Sequence, residues 1–356
     1  MKKSLLALAV LGAFTGIASA QTSVTIYGVV DAGITREDNG VSRFVRLDSG
    51  NQSGSRLGFK GNEDLGGGLS AQFLLEEGFN IDTGSAGQNG LLFGRQAYVG
   101  LTGNFGQLRL GRQKTVMYDS ILAVDPFGIA NKGGMDRLFA TNTAELVNTP
   151  TVLRGVGRSN NTIAYFTPNV AGFTGEVTYT LGEQANNNQF GRQYGVSLNY
   201  AAGPLFVTLD YLNVNSVPST AALVANSIAE STARTTFLGA TYDFGIAKAH
   251  AAYGVDKGSV NVSPLVGGVD QRDYMVGVTV PFGASAVQAD YIRKLDRSGQ
   301  GGSAKQYALG YTYALSKRTN FYSSYTGTNL GNVNYVANGV PNQIDRILNV
   351  GVRHTF

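Results

Sequence analysis

The feature of this chain that most constrains its fold is a period-two alternation of apolar and polar residues along the whole sequence. In Asp273–Phe282, Tyr, Val or Phe stands at every even position, while the odd positions are mainly small or polar. Ala304–Leu315 repeats the pattern, with Tyr or Leu at every odd position from Tyr307 onward. Such alternation predicts β-strands with one apolar and one polar face. Past residue 20, no apolar run approaches the ~20 residues that a transmembrane helix needs.

The alternation predicts sixteen strands of mostly about 9–11 residues, the length that a tilted strand needs to cross the hydrocarbon of a membrane. The connections alternate between short turns and long loops such as residues 35–54, which is typical of outer-membrane barrels. A soluble β-sandwich or solenoid is the alternative, but the apolar faces end in Tyr and Phe and the polar faces carry many charges. We therefore predict an all-β fold, a 16-stranded antiparallel transmembrane β-barrel with both termini on the short-turn side. The predicted strands lie near 24–34, 55–62, 69–78, 92–101, 106–113, 159–167, 173–181, 192–200, 205–213, 234–243, 247–255, 272–282, 285–293, 304–315, 319–326 and 345–356.

Both ends of the chain fit export to a membrane. Residues 1–20 combine two lysines, an apolar stretch and a final Ala-Ser-Ala, which predicts a cleaved signal peptide, and residues 21–356 are then one barrel domain. The last strand ends on Phe356, in the same phase as the apolar positions of residues 348–352. An aromatic residue there is expected in the interfacial girdle of a barrel whose last strand pairs with its first.

Composition excludes several functions. The chain has no Cys, which removes disulfides, thiol catalysis and cysteine metal sites. Its only histidines are His250, expected to line the lumen, and His354, expected on the outward face. Neither can complete a hydrolytic triad or a zinc site, so we predict no enzyme, no cofactor and no metal centre; a structural calcium ion cannot be read from sequence. The basic residues are scattered among acids, which predicts no nucleic-acid partner.

One connection, residues 114–158, shows no clean alternation. A long irregular segment in a compact protein is usually functional, and this one follows the fifth strand. We predict that it is the third long-side loop and that it folds back into the lumen as a constriction. The predicted acids of this loop are Asp119, Asp125, Asp136 and Glu145.

A basic wall is predicted to face this loop. Where Leu57 and Leu108 point outward, their neighbours point into the lumen, and Arg95 is taken to lie opposite an outward Tyr98. Basic side chains facing an acidic loop would set the ion selectivity of a water-filled pore, although the same residues could simply form salt bridges within the wall. The alternation indicates no inward row of aromatic residues of the kind a sugar-selective channel would need. The predicted wall consists of Arg56, Lys60, Arg95, Arg109 and Arg112.

Several segments resemble the general-diffusion porins of β-proteobacteria, the family of the Neisseria, Bordetella, Comamonas and Burkholderia porins. They are SVTIYGVVDAGI (23–34), SRLGFKGNEDLGGGLSAQFLLEEGF (55–79), GRQAYVGLTGNFGQLRLGRQ (94–113), RSNNTIAYFTPNVAGF (158–173) and VGVRHTF (350–356). The resemblance implies a homotrimer in the lipids of the Gram-negative outer membrane, with passive passage of ions and small hydrophilic solutes.

The resemblance also assigns residues. It implies that Arg56, Arg95 and Arg109 form the basic constriction wall, that Asp125 and Asp136 are loop acids, and that the barrel-assembly machinery reads Phe356. The loop reads DPFGIANKGG at 125–134, without the Glu that the family often has there. The arginine wall predicts a modest anion preference; members of the family differ in ion selectivity, and many favour anions. The alternatives are a substrate-selective channel, an outer-membrane barrel enzyme and an adhesin.

Overall fold

The structure is a computed structural model that describes residues 23–129, 131–139, 157–185, 187–215, 232–258, 269–298, 303–329 and 344–356. The predicted signal peptide and Glu145 lie outside these ranges. Within them the chain is almost entirely β, and no helix is long and apolar enough to span a membrane.

The regular elements are seventeen strand segments, one α-helix and two short 3₁₀ turns, in the described part of the chain. The strand segments are β1 Ser23–Asp38, β2 Arg43–Ser49, β3 Arg56–Gly66, β4 Leu69–Gly78, β5 Gln96–Gly103, β6 Gly106–Lys114, β7 Arg158–Phe166, β8 Phe173–Thr180, β9 Gln193–Ala202, β10 Leu205–Asn215, β11 Thr232–Asp243, β12 Lys248–Gly258, β13 Val269–Phe282, β14 Ser285–Asp296, β15 Ala304–Ala314, β16 Thr319–Asn329 and β17 Ile344–Thr355. The helix, α1, is Val116–Val124, and the 3₁₀ turns are Gln88–Gly90 and Met135–Arg137.

The strands form one closed antiparallel barrel. Each segment from β3 onward pairs with the next along the chain, and β17 pairs with β1, so that the sheet has no free edge. At this seam Gly28 and Phe356 exchange two backbone hydrogen bonds, of 3.0 and 3.1 Å. The predicted closure of the barrel by its last strand is confirmed.

Two of the seventeen segments share one position in the barrel. Both β2 and β3 pair with the same edge of β1, β2 with its second half and β3 with its first. They are one strand interrupted at residues 50–55, which leaves the predicted sixteen positions. The prediction of residues 35–54 as a loop was wrong, because 35–38 and 43–49 form a hairpin. This hairpin lies at the long-loop end, and its Val45 and Leu47 are exposed in the same outward phase as Ile34.

The two faces of the barrel differ as the alternation predicts. On β13 the outward Val276 is 61% exposed, whereas the inward Asp273 is 0% exposed. On β17 the outward Val350 and Phe356 are exposed and the inward Asn349 is buried. His354 is also outward and lies 2.8 Å from Thr319 Oγ1. Apolar side chains therefore cover the outside of the barrel, and polar ones line its interior.

Candidate pore constriction

The connection after β6 turns inward and lies against the inner wall. Its helix α1 follows Thr115 and contacts the inner faces of β8 to β12. Ser120 Oγ donates a hydrogen bond to the Asp210 carboxylate on β10, at 3.0 Å. At the end of the helix, His250 Nδ1 on β12 lies 2.7 Å from the Val124 carbonyl oxygen. His250 therefore holds the loop rather than lining open lumen.

Asp125 fixes the bend that follows α1. It is buried, and its carboxylate accepts hydrogen bonds from the backbone N–H of Phe127 (2.9 Å) and of Met135 (2.7 Å). Burial, together with the nearby Asp290 carboxylate, holds the pKa of Asp125 well above its usual range. The two carboxylate bonds close the bend into a compact unit. Asp125 is thus an internal support of the loop, not an acid on its open surface.

The rest of the described loop continues around the same wall. Gln306 Nε2 on β15 donates to the Gly133 carbonyl at 2.9 Å. The Phe139 ring meets Phe237 edge to face, with centroids 5.5 Å apart. Arg137 forms an ion pair of 2.9 Å with Asp345 on β17. The described loop therefore covers the inner wall from β8 to β17 and, apart from contacts of α1 with the ends of β6 and β7, leaves the wall of β3 to β7 open to the lumen.

That open wall holds three of the predicted arginines. Arg95 Nε donates to Glu76 Oε1 at 2.8 Å, and both side chains are only 6% exposed. Arg56 lies close enough to Arg95 and Glu76 to interact electrostatically with both. The Arg109 guanidinium carbon lies 4.1 Å from the Phe166 ring centroid and 4.8 Å from that of Tyr98. Arg95 is thus paired with a carboxylate, Arg56 lies near that pair without an ion pair of its own, and Arg109 rests on aromatic faces.

The other two predicted wall residues lie apart from this group. Lys60 sits 5.6 Å from the ring centroid of Tyr27, nearer the short-turn end of β3. Arg112 falls between the outward Leu110 and the buried, inward Gln113, so its side chain follows the outward phase. It donates to the Gly94 carbonyl at 2.7 Å. The structure does not bring Arg112 into the wall, because the strand is bulged at this point and ends two residues later.

Sequence reasoning missed a second group of cations. Arg158, the first residue of β7, places its guanidinium 5.1 Å from the Tyr118 ring centroid, and Lys114 Nζ lies 4.7 Å from the same ring. The strand phase set by the outward Ile163 and Tyr165 does not identify Arg158, because the register is bulged before Thr162 and the buried Ser159 lies in their odd phase. Nothing in the aperiodic loop sequence could have identified Tyr118.

Aromatic residues also line this wall. The alternation places Tyr98 outward, but the exposed residues of β5 are Val99 and Leu101, and Tyr98 faces Arg109 inside the barrel. Tyr27, Tyr98 and Phe166 each lie beneath a cation. Single aromatic rings thus face the lumen here, each covered by a cation.

The acids of the loop do not balance this charge in the described part of the chain. Asp119 is exposed but lies 2.6 Å from Lys114 Nζ. Asp125 is internal, and Asp136 is partly buried in the turn Met135–Arg137. The open face of α1 presents Asp119, Leu122 and Ala123. The opening is therefore bounded by a cationic wall on one side and a largely uncharged helix face on the other.

No group of three or more His, Cys, Asp or Glu side chains is arranged to hold a metal ion, over the residues that the structure describes. The carboxylates nearest the opening are instead engaged by cations, as Glu76 is by Arg95 and Asp119 by Lys114.

Comparison with known proteins gives a consistent picture. A family model described as Gram-negative porin matches residues 7–332. An outer membrane porin protein of Bordetella pertussis is 34% identical over 412 aligned residues, covering 100% of both chains. The solved anion-selective porin from Comamonas acidovorans has 29% identity and a TM-score of 0.80, over 94% of this chain and 100% of that one. The trimer form of OmpT from Vibrio cholerae, at 15% identity, has the same fold, with a TM-score of 0.65 over 94% of this chain and 99% of that one.

Proposed function

This chain belongs to the Gram-negative porin family, and from that premise we propose that its constriction favours anions over cations. The protein is an outer-membrane porin, a general-diffusion channel for ions and small hydrophilic solutes, and not an enzyme. The open question is which solutes pass most readily. We infer that the charge around the opening determines which solutes pass most readily.

The observation that carries the proposal is the unequal charge of the two sides of the constriction. The wall presents Arg56, Arg109 and Arg158, for which the structure gives no carboxylate within ion-pair distance among the described residues. Opposite them, α1 presents a face whose single acid, Asp119, is already paired. A narrow, low-dielectric passage focuses such a field, which raises the local concentration of anions. The relative named anion-selective has the same fold, which is consistent with this proposal.

A planar-bilayer experiment tests both the formation of a pore and its preference for anions. Purified protein should insert in large, uniform conductance steps, and a KCl gradient should give a zero-current potential of the sign that chloride permeation produces. A barrel that inserts without conductance steps would contradict the pore, whereas steps with a potential of cation sign would leave the pore and overturn the anion preference.

We further infer that the protein assembles as a homotrimer, the form named for one structural neighbour. The mass of the detergent-solubilised complex, measured by light scattering with the detergent contribution subtracted, should be three times that of one mature chain. A complex of one chain's mass at micromolar protein would refute this.

Phe356 is proposed as the signal that the barrel-assembly machinery reads. Its ring lies against Gly28, where an added Cβ would come within 2.3 Å of Phe356 Cζ, so the residue also seals the seam. Deleting Phe356 should lower the amount of folded barrel in cells severalfold, while Phe356→Tyr should retain it.

Refolding the same variants into lipid vesicles without any machinery separates the two roles. If Phe356 is a signal, the deletion should refold with near-normal yield, as judged by heat-dependent gel mobility. If the deletion fails equally in vesicles and in cells, Phe356 acts only through the seam.

A further inference from the structure

The break between β2 and β3 gives the second strand of the barrel more residues than the wall can hold. Ser49 lies opposite Ala32, and Arg56 lies opposite Val29, so the six residues 50–55 stand against only two positions of β1. Four of the six therefore have no position in the wall. Because four is an even number, the strand resumes with its alternation of inward and outward side chains unchanged. The extra residues must leave the sheet towards one of its two faces.

The face that they take is the lumen. Gln52 Oε1 accepts a hydrogen bond from Asn320 Nδ2 at 2.8 Å, and Ser53 Oγ accepts one from Arg353 Nε at 2.7 Å. Asn320 and Arg353 are directly opposed on β16 and β17, and Arg353 in turn lies opposite the buried, inward Asp31 on β1. Residues 50–55 therefore lie as a second layer on the inner wall of β1, β17 and β16.

One buried carboxylate holds these residues in place. Asp31 is 0% exposed, and its Oδ2 accepts hydrogen bonds from the backbone N–H of Gln52 (2.9 Å) and of Ser53 (2.7 Å). Its own backbone closes both ends of the segment, because its carbonyl accepts from the Gly50 N–H at 2.8 Å and its N–H donates to Ser55 Oγ at 3.1 Å. Charge-assisted bonds of this kind are the strong ones. The segment thus has one fixed position on the wall.

The segment also lies against the basic wall of the opening. Gly54 contacts the Arg95 guanidinium, and an added Cβ would come within 3.0 Å of its Nη1. On the other flank, the Ser53 hydroxyl holds Arg353, which lies close enough to Arg56 to interact with it electrostatically. Ser53 and Gly54 both remain partly exposed. Solutes that pass the arginines therefore meet this segment.

The segment and the loop after β6 narrow different levels of the lumen. On β16, Ser324 Oγ lies 3.4 Å from Asn131 Oδ1 of the loop, whereas Asn320 binds Gln52. The four positions between these two contacts span about 13 Å along the strand. Since β16 begins at Thr319, directly after a short turn, the segment lies on the short-turn side of the loop.

We propose that residues 50–55 form a second constriction of the channel, which limits the size of the solutes that pass. A chain segment layered on the inner wall takes about 5–10 Å from the width of the lumen, the range of spacings between neighbouring backbone segments. The segment contains no charged side chain, so it acts on solutes through size and hydrogen bonding. This role rests on the porin function of the family and does not require a preference for anions.

Deleting residues 51–54 tests this role, because Gly50 and Ser55 then occupy the two positions opposite Asp31 and Val30 and make the second strand continuous. Conductance is measured in 1 M KCl, where a Debye length of about 3 Å screens the charges of the wall. The size limit is measured by the swelling of proteoliposomes in uncharged mono-, di- and trisaccharides. Heat-dependent gel mobility verifies that each variant is folded.

Two further variants complete the test. Gln52→Trp enlarges a side chain of the segment and keeps the backbone N–H that donates to Asp31, so it should narrow the same level of the lumen. Deleting residues 82–85, four exposed residues of the connection between β4 and β5, is the matched control.

The deletion of residues 51–54 should raise the conductance about 1.5-fold to 2-fold and should speed the entry of trisaccharides more than that of monosaccharides. Gln52→Trp should lower both the conductance and the entry of the larger sugars. Native conductance in the folded deletion variant, unchanged sugar entry in Gln52→Trp, or an equal gain in the 82–85 control would each overturn the second constriction. Because the sugars are uncharged, these outcomes are separate from the anion preference, which the KCl gradient tests.

Discussion

Replacing Arg56, Arg109 and Arg158 together by serine is expected to shift the channel strongly toward cations. A unit charge about 6 Å from a permeating ion in water changes its energy by about 0.7 kcal/mol, roughly threefold in local concentration. Three such charges line the open wall, so the anion-to-cation permeability ratio should fall by at least about tenfold at low salt. Because the Debye length shortens from about 30 Å at 0.01 M to about 3 Å at 1 M, the effect should shrink as salt rises.

The measurement is the zero-current potential across a KCl gradient, repeated at several ionic strengths. Arg95 is left in place because its loss would strand the buried Glu76 carboxylate and mix a stability effect with a selectivity effect. The matched control replaces Lys317 and Arg318, exposed charges of the last short turn, by serine. An unchanged potential in the triple variant, or the same change in the control, would exclude the basic wall as the origin of selectivity.

Replacing Asp125 by alanine is expected to release the constriction loop. The substitution leaves the buried N–H groups of Phe127 and Met135 without their acceptor, at a cost of about 1–3 kcal/mol each. The barrel should still form, because its strands pair independently of the loop. Single-channel recordings should then show broad current noise and fluctuating conductance in place of uniform steps.

Two substitutions isolate the role of Asp125. Asp125→Asn keeps one of the two side-chain acceptors and removes the charge that faces Asp290, so its steps should be noisier than those of the native channel and quieter than those of D125A. Asp119→Ala removes the exposed loop acid and should alter selectivity slightly without noise. If D125A were as quiet as the native channel, the carboxylate bonds would not hold the loop.

The pKa of Asp125 gives this effect a direction with pH. A carboxyl whose folded pKa lies above its unfolded value keeps its proton to higher pH in the folded state. The stabilisation that Asp125 gives to the folded loop therefore decreases as the pH rises from the ordinary pKa of 3.8 to the raised pKa. Above the raised pKa this stabilisation no longer changes with pH. The loop of the native channel should be quietest at the acidic end of this window, and D125N should lose that dependence.

Much of the barrel was predictable because its constraint is local. Lipid outside the barrel requires apolar side chains, and water inside it requires polar ones. The sequence alone therefore predicts that Val276 points outward and Asp273 inward. The prediction failed at two places within the strands. Arg43–Ser49 forms a further part of the second strand although it was predicted as a loop, and Tyr98 follows the inward phase of β5 and meets Arg109.

The sequence by itself determined the barrel, its closure through Phe356 and the inward arginines of regular strands. Each of these follows from the period-two alternation of apolar and polar residues, which is a local pattern. Only the tertiary structure decided which of those cations form the opening. The course of the loop depends on contacts between residues far apart in the chain, such as Val124 with His250, which are 126 positions apart. Such contacts leave no local pattern. They turn Asp125 into the interior, bring Tyr118 to Arg158 and leave the basic wall facing water.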